Sequence, residues 1–141
     1  MRVDFILSIS LCAGTCDFVT GLMLIFAPEA TLALMQVPAV QELVFLRFVG
    51  CFVAVVGLSY FVGLFSWWYN GKLARLCTIW ELTALFRLAA GSFVVIQVTA
   101  HALSWQWLGV PLVDGFWCLV QAYFLYRGIF DKPANEDRSR A

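Results

Sequence analysis

An all-α fold, a polytopic membrane protein built as a four-helix up-down bundle, is predicted by three observations: a composition dominated by apolar residues, four long uncharged runs, and cations gathered on one side of those runs. Of the 141 residues, 62% are apolar and 13% charged, against roughly 45–50% and 25% in ordinary globular domains. Nine Lys+Arg balance nine Asp+Glu. There is therefore no net field to gather nucleic acid and no basic cluster to anchor the chain on anionic lipid.

The runs at about 5–27, 43–68, 73–98 and 107–129 are each long enough to cross a hydrocarbon core, which takes about 20 helical residues. They are continuous and lack period-two alternation. A helical bundle fits that pattern and a β-barrel does not. Together they make one domain, 1–130, followed by a polar tail at 131–141 (DKPANEDRSRA). Arg2 followed by an apolar run resembles a secretion signal, but neither Cys12 nor Cys16 follows the small-residue pattern of a lipid-modified cysteine. The first run reads as a permanent span.

The connections differ. Trp67-Trp68-Tyr69-Asn70-Gly71-Lys72 reads as a tight hairpin, whereas 28–42 is longer and carries Leu32, Leu34, Met35 and Val37. Proline suits the first position of a helix, so Pro28 is expected to open a short interfacial one. Orientation follows from the cations. Arg2, Lys72, Arg75, Arg127, Lys132, Arg138 and Arg140 flank one side, and the opposite loops hold only Glu29, Glu42 and His101. Both ends are thus expected on the cytoplasmic side of a bacterial inner membrane. Trp67, Trp68, Tyr69, Tyr123 and Tyr126 mark the inner interface and Trp105 and Trp107 the outer one, while Trp80 and Trp117 lie deep enough to pack between helices.

Five ionisable residues fall inside the spans: Asp17, Arg47, Glu81, Arg87 and Asp114. Such groups cost about 2.5–3.5 kcal/mol each at mid-span on insertion scales, so they are expected to face the bundle and pair. At about 1.5 Å per residue, Arg47 lies some 6 Å below the outer end of its run, Asp114 about 10 Å, Asp17 near 15 Å and Arg87 roughly 16 Å. Small residues support the inward facing. Asp17 shares a face with Gly14 and Gly21, and Arg47 with Gly50, Ala54 and Gly57. Ala84 and Gly91 lie in the arc between Glu81 and Arg87, and Asp114 and Gln121 form a polar line seven residues apart.

Two readings of the five charges stay open. They form a polar pocket or relay with Glu81 as the unpaired acid, as proton relays and quinone-reducing sites use, or Asp17–Arg47 and Arg87–Asp114 are clasps that fix register. Other motifs are sparse. Cys12 and Cys16 share a face yet make an incomplete metal site, and the remaining cysteines, Cys51, Cys77 and Cys118, also lie in apolar runs. The single histidine, His101, excludes a bis-histidine haem. No metal site and no catalytic residue are assigned. Ser8, Ser10, Ser59 and Ser92 are expected to hydrogen-bond back to the carbonyl four residues earlier.

The chain resembles the broad group of small four-helix bacterial membrane proteins described as DoxX-like. The residues that carry the resemblance are Gly21-Leu22-Met23-Leu24-Ile25-Phe26-Ala27-Pro28, Gln36-Val37-Pro38, Leu46-Arg47-Phe48-Val49-Gly50 with Gly57 and Tyr60, and Val113-Asp114-Gly115-Phe116-Trp117. The resemblance implies a four-helix fold with Arg47 and Asp114 as the polar pair. Some members are similar to subunits of a thiosulfate–quinone oxidoreductase, but no cysteine motif here carries over to redox chemistry.

A non-catalytic accessory or stabilising subunit of a larger membrane complex is the first functional expectation. Thirteen Phe and six Trp supply more bulky surface than a four-helix core covers, and lipid, partner subunits, a second copy of the chain, or a flat apolar cofactor such as a quinone would take it. The alternative is a quinone-linked component or apolar-ligand bundle that uses the intramembrane cluster. A carrier or channel would need a polar path to both faces. Beneath Glu81 the inner half offers only Ser8, Ser10, Cys77, Thr78 and Gln121.

Overall fold

Each apolar run is a helix in the computed structural model, which describes residues 2–38 and 42–130. The elements are α1 (Arg2–Phe26), α2 (Pro28–Leu34), α3 (Leu43–Asn70), α4 (Ala74–Thr99), a 3-10 turn (Trp105–Leu108) and α5 (Gly109–Tyr126). Four of them are long and apolar enough to cross a membrane. The chain is an all-α four-helix membrane bundle, and no strand occurs among the described residues. The polar tail at 131–141 lies outside the described residues.

α1 and α3 make the closest pair. The reason is a seam of small residues at seven-residue spacing, Gly14 and Gly21 on α1 against Gly50 and Gly57 on α3, the repeat that keeps one helix face turned to its partner. A Cβ at Gly21 would land on the Ala54 backbone, and one at Gly57 on the Phe18 backbone. No rotamer change relieves a clash with backbone.

Large side chains fill the space between this pair and α4/α5. At the end where α1 begins, Ile6, Tyr60, Leu76 and Trp80 form a buried cluster joined by Phe124, Leu125, Ile129 and Phe130. Phe5 meets Phe124 edge-on at 5.2 Å, and Trp80 meets Phe130 at 5.3 Å. At the far end α2 closes the bundle. Its Leu32 packs with Val37, Leu24 and Leu46, and Pro28 stands at the first helical position as the residue pattern predicts.

Three helices stop in the same way, with a residue at positive φ after the helix and a paired set of backbone hydrogen bonds reaching back. After α2, Gln36 (φ 57°) donates to Ala33 and Val37 to Leu32; after α4, His101 (φ 58°) donates to Val98 and Ala102 to Gln97. Gly128 (φ 59°) does the same after α5, donating to Leu125 while Ile129 donates to Phe124. The fourth helix therefore ends at Tyr126, short of the expected 129, because Gly128 favours the left-handed conformation. α3 runs through Asn70, and only Gly71–Leu73 remain as the turn to α4.

Two predictions follow from these contacts. Gly57→Leu should abolish a monodisperse folded species in size-exclusion chromatography, since the added side chain meets backbone and core overpacking already costs about 1–3 kcal/mol where neighbours can move. His101→Gly should raise the melting temperature by relieving a left-handed residue, a gain of about 1 kcal/mol.

Candidate functional site

The inward face of α4 carries Leu76, Trp80, Thr83, Arg87 and Gly91, a stripe at alternating spacings of three and four that keeps one side of the helix turned to the other three. Three of these side chains make the bundle's polar interior. Arg87, 6% exposed, donates from Nη1 to Asp114 Oδ1 of α5 at 2.8 Å and from Nη2 to Asp17 Oδ2 of α1. Its Nε–H has no partner among the described residues. One arginine thus ties three helices at about 14 Å from the end of α1 and 18 Å from the end of α4, near the middle of a roughly 30 Å core.

One turn towards the chain ends, Tyr60 Oη and Thr83 Oγ1 lie 2.7 Å apart, and Gln121 Nε2 donates to both, at 2.5 and 2.9 Å. Below them Trp80 Nε1 donates to Ser10 Oγ at 2.8 Å. The expected back-bond of Ser10 is replaced by this tertiary one, and Ser59 bonds to the carbonyl of Val56, three residues earlier. Thr83 carried no reading in the sequence, Tyr60 entered only through the resemblance, and Ser10 only as a back-bonded serine and one of the few polar groups of the inner half. The available signal was spacing: Ser10 and Asp17, Trp80 and Arg87, and Asp114 and Gln121 are each seven apart.

Of the five expected cluster residues, the structure brings together Asp17, Arg87 and Asp114, and leaves Arg47 and Glu81 outside. The pairing of Asp17 with Arg47 does not occur. Arg47 is exposed and lies ten residues from Gly57, whose backbone passes Phe18. That is about 15 Å along α3, more than an arginine side chain spans. The same register separates Arg47 from Asp114, so the polar pair implied by the DoxX-like resemblance is not formed; Arg87 takes both acids instead. Arg47 stands one turn inside its helix end, where a long cationic side chain reaches the interface. Glu81 is exposed as well, about 120° around α4 from Arg87, because its neighbour Trp80 occupies the inward position. Cys77 Sγ, one turn before it, approaches its carboxylate at 3.9 Å.

Two clefts flank the cluster. Between α3 and α4 a cavity of about 280 Å³ has Asp17, Arg87 and Asp114 at its polar end and Phe48, Phe52 and Phe86 among its walls. Between α4 and α5 a groove of about 420 Å³ runs along Leu88, Gly91, Ser92, Pro111 and Gly115 and is almost wholly apolar. Among the described residues no three His, Cys, Asp or Glu side chains converge on a metal-sized site. Cys12, Cys16 and Cys51 are exposed on the outer helix faces, and His101 is exposed in its helix cap.

No protein-family model, curated protein or solved structure matches this chain. The polar interior has to be interpreted from its own geometry.

That geometry predicts a specific order among substitutions. Arg87→Ala leaves two buried acids without their cation and should cost about 3–5 kcal/mol of stability. Replacing Arg87, Asp17 and Asp114 together by leucine should cost less than Arg87→Ala alone, and Arg47→Ala should change little. Thermal unfolding in detergent, followed by circular dichroism, reads all three.

Proposed function

We propose that this chain is a non-catalytic accessory or stabilising subunit that docks sideways on a larger membrane assembly. The observation that carries the reading is Glu81, an acid on an outward face of a spanning helix. It lies seven residues, about 10 Å, from the start of α4. No cation pairs with it among the described residues. An ionised acid at such a position costs energy on the scale of the insertion penalties unless another group meets it. A partner helix with a basic or hydroxyl side chain at that level supplies the group.

The neighbouring surface supports a helix-sized partner. Glu81, Leu88 and Ser92 share a face of α4, at offsets of seven and eleven residues. Leu88 and Ser92 continue into the groove against α5, where Gly91, Pro111 and Gly115 keep the floor low. Small residues of this kind let helices approach closely in a membrane. α5 itself is barely covered, Gln121 being its one buried side chain.

Two further features fit a subunit without chemistry of its own. Both Arg87 Nη atoms are engaged by acids of the same chain, as in an internal clasp. The quinone-linked reading used Glu81 as the free acid inside the cluster, and Glu81 stands on the other side of α4. The proposed setting is a bacterial inner membrane with both ends cytoplasmic. Seven cations flank the side of the chain ends, and on the other side only the exposed Arg47 stands near a helix end.

Native mass spectrometry of the chain extracted in mild detergent tests this. The expected result is a complex of fixed stoichiometry that Glu81→Lys dissociates and Glu81→Gln loosens, both variants keeping the melting temperature of the isolated chain. A chain that runs alone, or one whose partner ignores Glu81→Lys, would sink the reading.

A further inference from the structure

We propose that the cleft between α3 and α4 binds a small lipophilic ammonium ion, its charge set against Asp17 and Asp114 and its apolar part against Phe48, Phe52 and Phe86. This goes beyond the docking role and uses the opposite side of α4: Ala90, in the wall of the cleft, lies about 180° around the helix from Glu81.

The first argument is charge. Asp17 and Asp114 bring two negative charges to one guanidinium, which leaves the cluster one positive charge short near mid-membrane. Arg47, the other arginine that the sequence places within a span, is exposed and about 15 Å away along α3. Arg87 holds one oxygen of each acid; Asp17 Oδ1 and Asp114 Oδ2 carry no hydrogen bond among the described residues. Both side chains retain some exposure, 12% and 19%, and both line the cleft. Two free carboxylate oxygens at the end of an apolar cleft accept a cation. They offer little to an anion, because both Arg87 Nη atoms are already occupied.

The second argument is the wall. Phe48 and Phe52 pack edge to face at 4.8 Å, and Phe86 faces them across the cleft from α4. Aromatic faces attract ammonium groups, more strongly where water is excluded. All three rings are well exposed outward, at 59%, 58% and 63%, so the cleft opens to the side, towards lipid. Its volume of about 280 Å³ is below the usual range of drug-sized pockets and suits a small ion. A metal ion is less well served, since among the described residues no third His, Cys, Asp or Glu joins the two carboxylates in a metal-sized group.

The test uses the full chain in detergent, titrated calorimetrically with benzyltrimethylammonium and with its uncharged isostere neopentylbenzene. The expected result is saturable binding of one ammonium ion per chain, with the isostere about tenfold weaker or worse. Asp114→Asn should weaken the ammonium about tenfold by restoring neutrality. Because that variant also touches the clasp, Ala90→Leu is the companion. It fills the cleft from its wall, should leave the melting temperature unchanged, and should weaken binding about as much. Equal binding of ion and isostere, indifference to Ala90→Leu, or no saturable binding would overturn the proposal. The last outcome is what a proton shared by the two acids, neutralising the cluster by itself, would give.

Discussion

A guanidinium at the middle of a membrane has to be met by anions of its own chain, and Arg87 is met by two. One acid comes from α1 and one from α5. Hydrogen-bonded ion pairs of this kind return only part of the desolvation cost of burying the charges, and breaking one is far more damaging than never having built it. The cluster therefore stabilises one arrangement of three helices relative to all others more than it stabilises the fold. Any rotation of α4 that moved Arg87 away from either acid would strand a charge in hydrocarbon. In a bundle whose outer faces are largely apolar, little else distinguishes the correct rotation so sharply.

The rest of the interior obeys the same constraint. α1 and α3 approach through glycines, so their seam has no room for polar side chains. The wider space between that pair and α4/α5 is filled by long ones: Arg87, then Tyr60, Thr83 and Gln121, then Trp80 and Ser10. Each rung crosses between the two pairs. Polar networks in a low-dielectric interior are favourable only when nearly complete, and here most donors and acceptors find each other. Two buried exceptions in the ladder, Arg87 Nε and Gln121 Oε1, sit where the side chain has already satisfied its other groups, and the second oxygens of Asp17 and Asp114 are the partly exposed ones.

The spans, the short helix at Pro28 and the burial of Trp80 were legible in the residues because each depends on local composition or on a single strong preference. The left-handed caps that follow α2 and α4 were not, since Gln36 and His101 occupy a conformation that glycine usually takes. Within the cluster, Asp17, Arg87 and Asp114 were legible as inward-facing polar groups and Arg87–Asp114 as one of the two clasps, and the structure forms that pair; the partner of Asp17 was not legible. Pairing depends on the register of α1 against α3, and that register is set by where the glycines meet, a property of two helices together. Arg47 was assigned inward because it lies at the edge of the same glycine strip. A few tens of degrees of helix rotation decide between the seam and lipid. Glu81 shows the same limit from the other side: it adjoins Trp80 in sequence, and only one of the two can point inward.

The contrast between Glu81 and the cluster separates what the bundle does for itself from what it offers to others. Charges needed for its own assembly are buried, hydrogen-bonded and shared among helices. Glu81 is exposed and met only by the Cys77 thiol of its own helix among the described residues, so its presence in a spanning helix is not explained by the packing of one helix on another in this chain. The same reasoning applies more weakly to Asp17 and Asp114, whose second oxygens remain unengaged and whose combined charge exceeds that of Arg87. A clasp built only for register would be neutral with one acid and one arginine. The second acid brings in a third helix, and it also leaves a negative site at the end of an aromatic cleft open to lipid. Fold specificity accounts for where that acid sits, whereas its surplus charge needs a counter-charge that Arg87 alone does not supply.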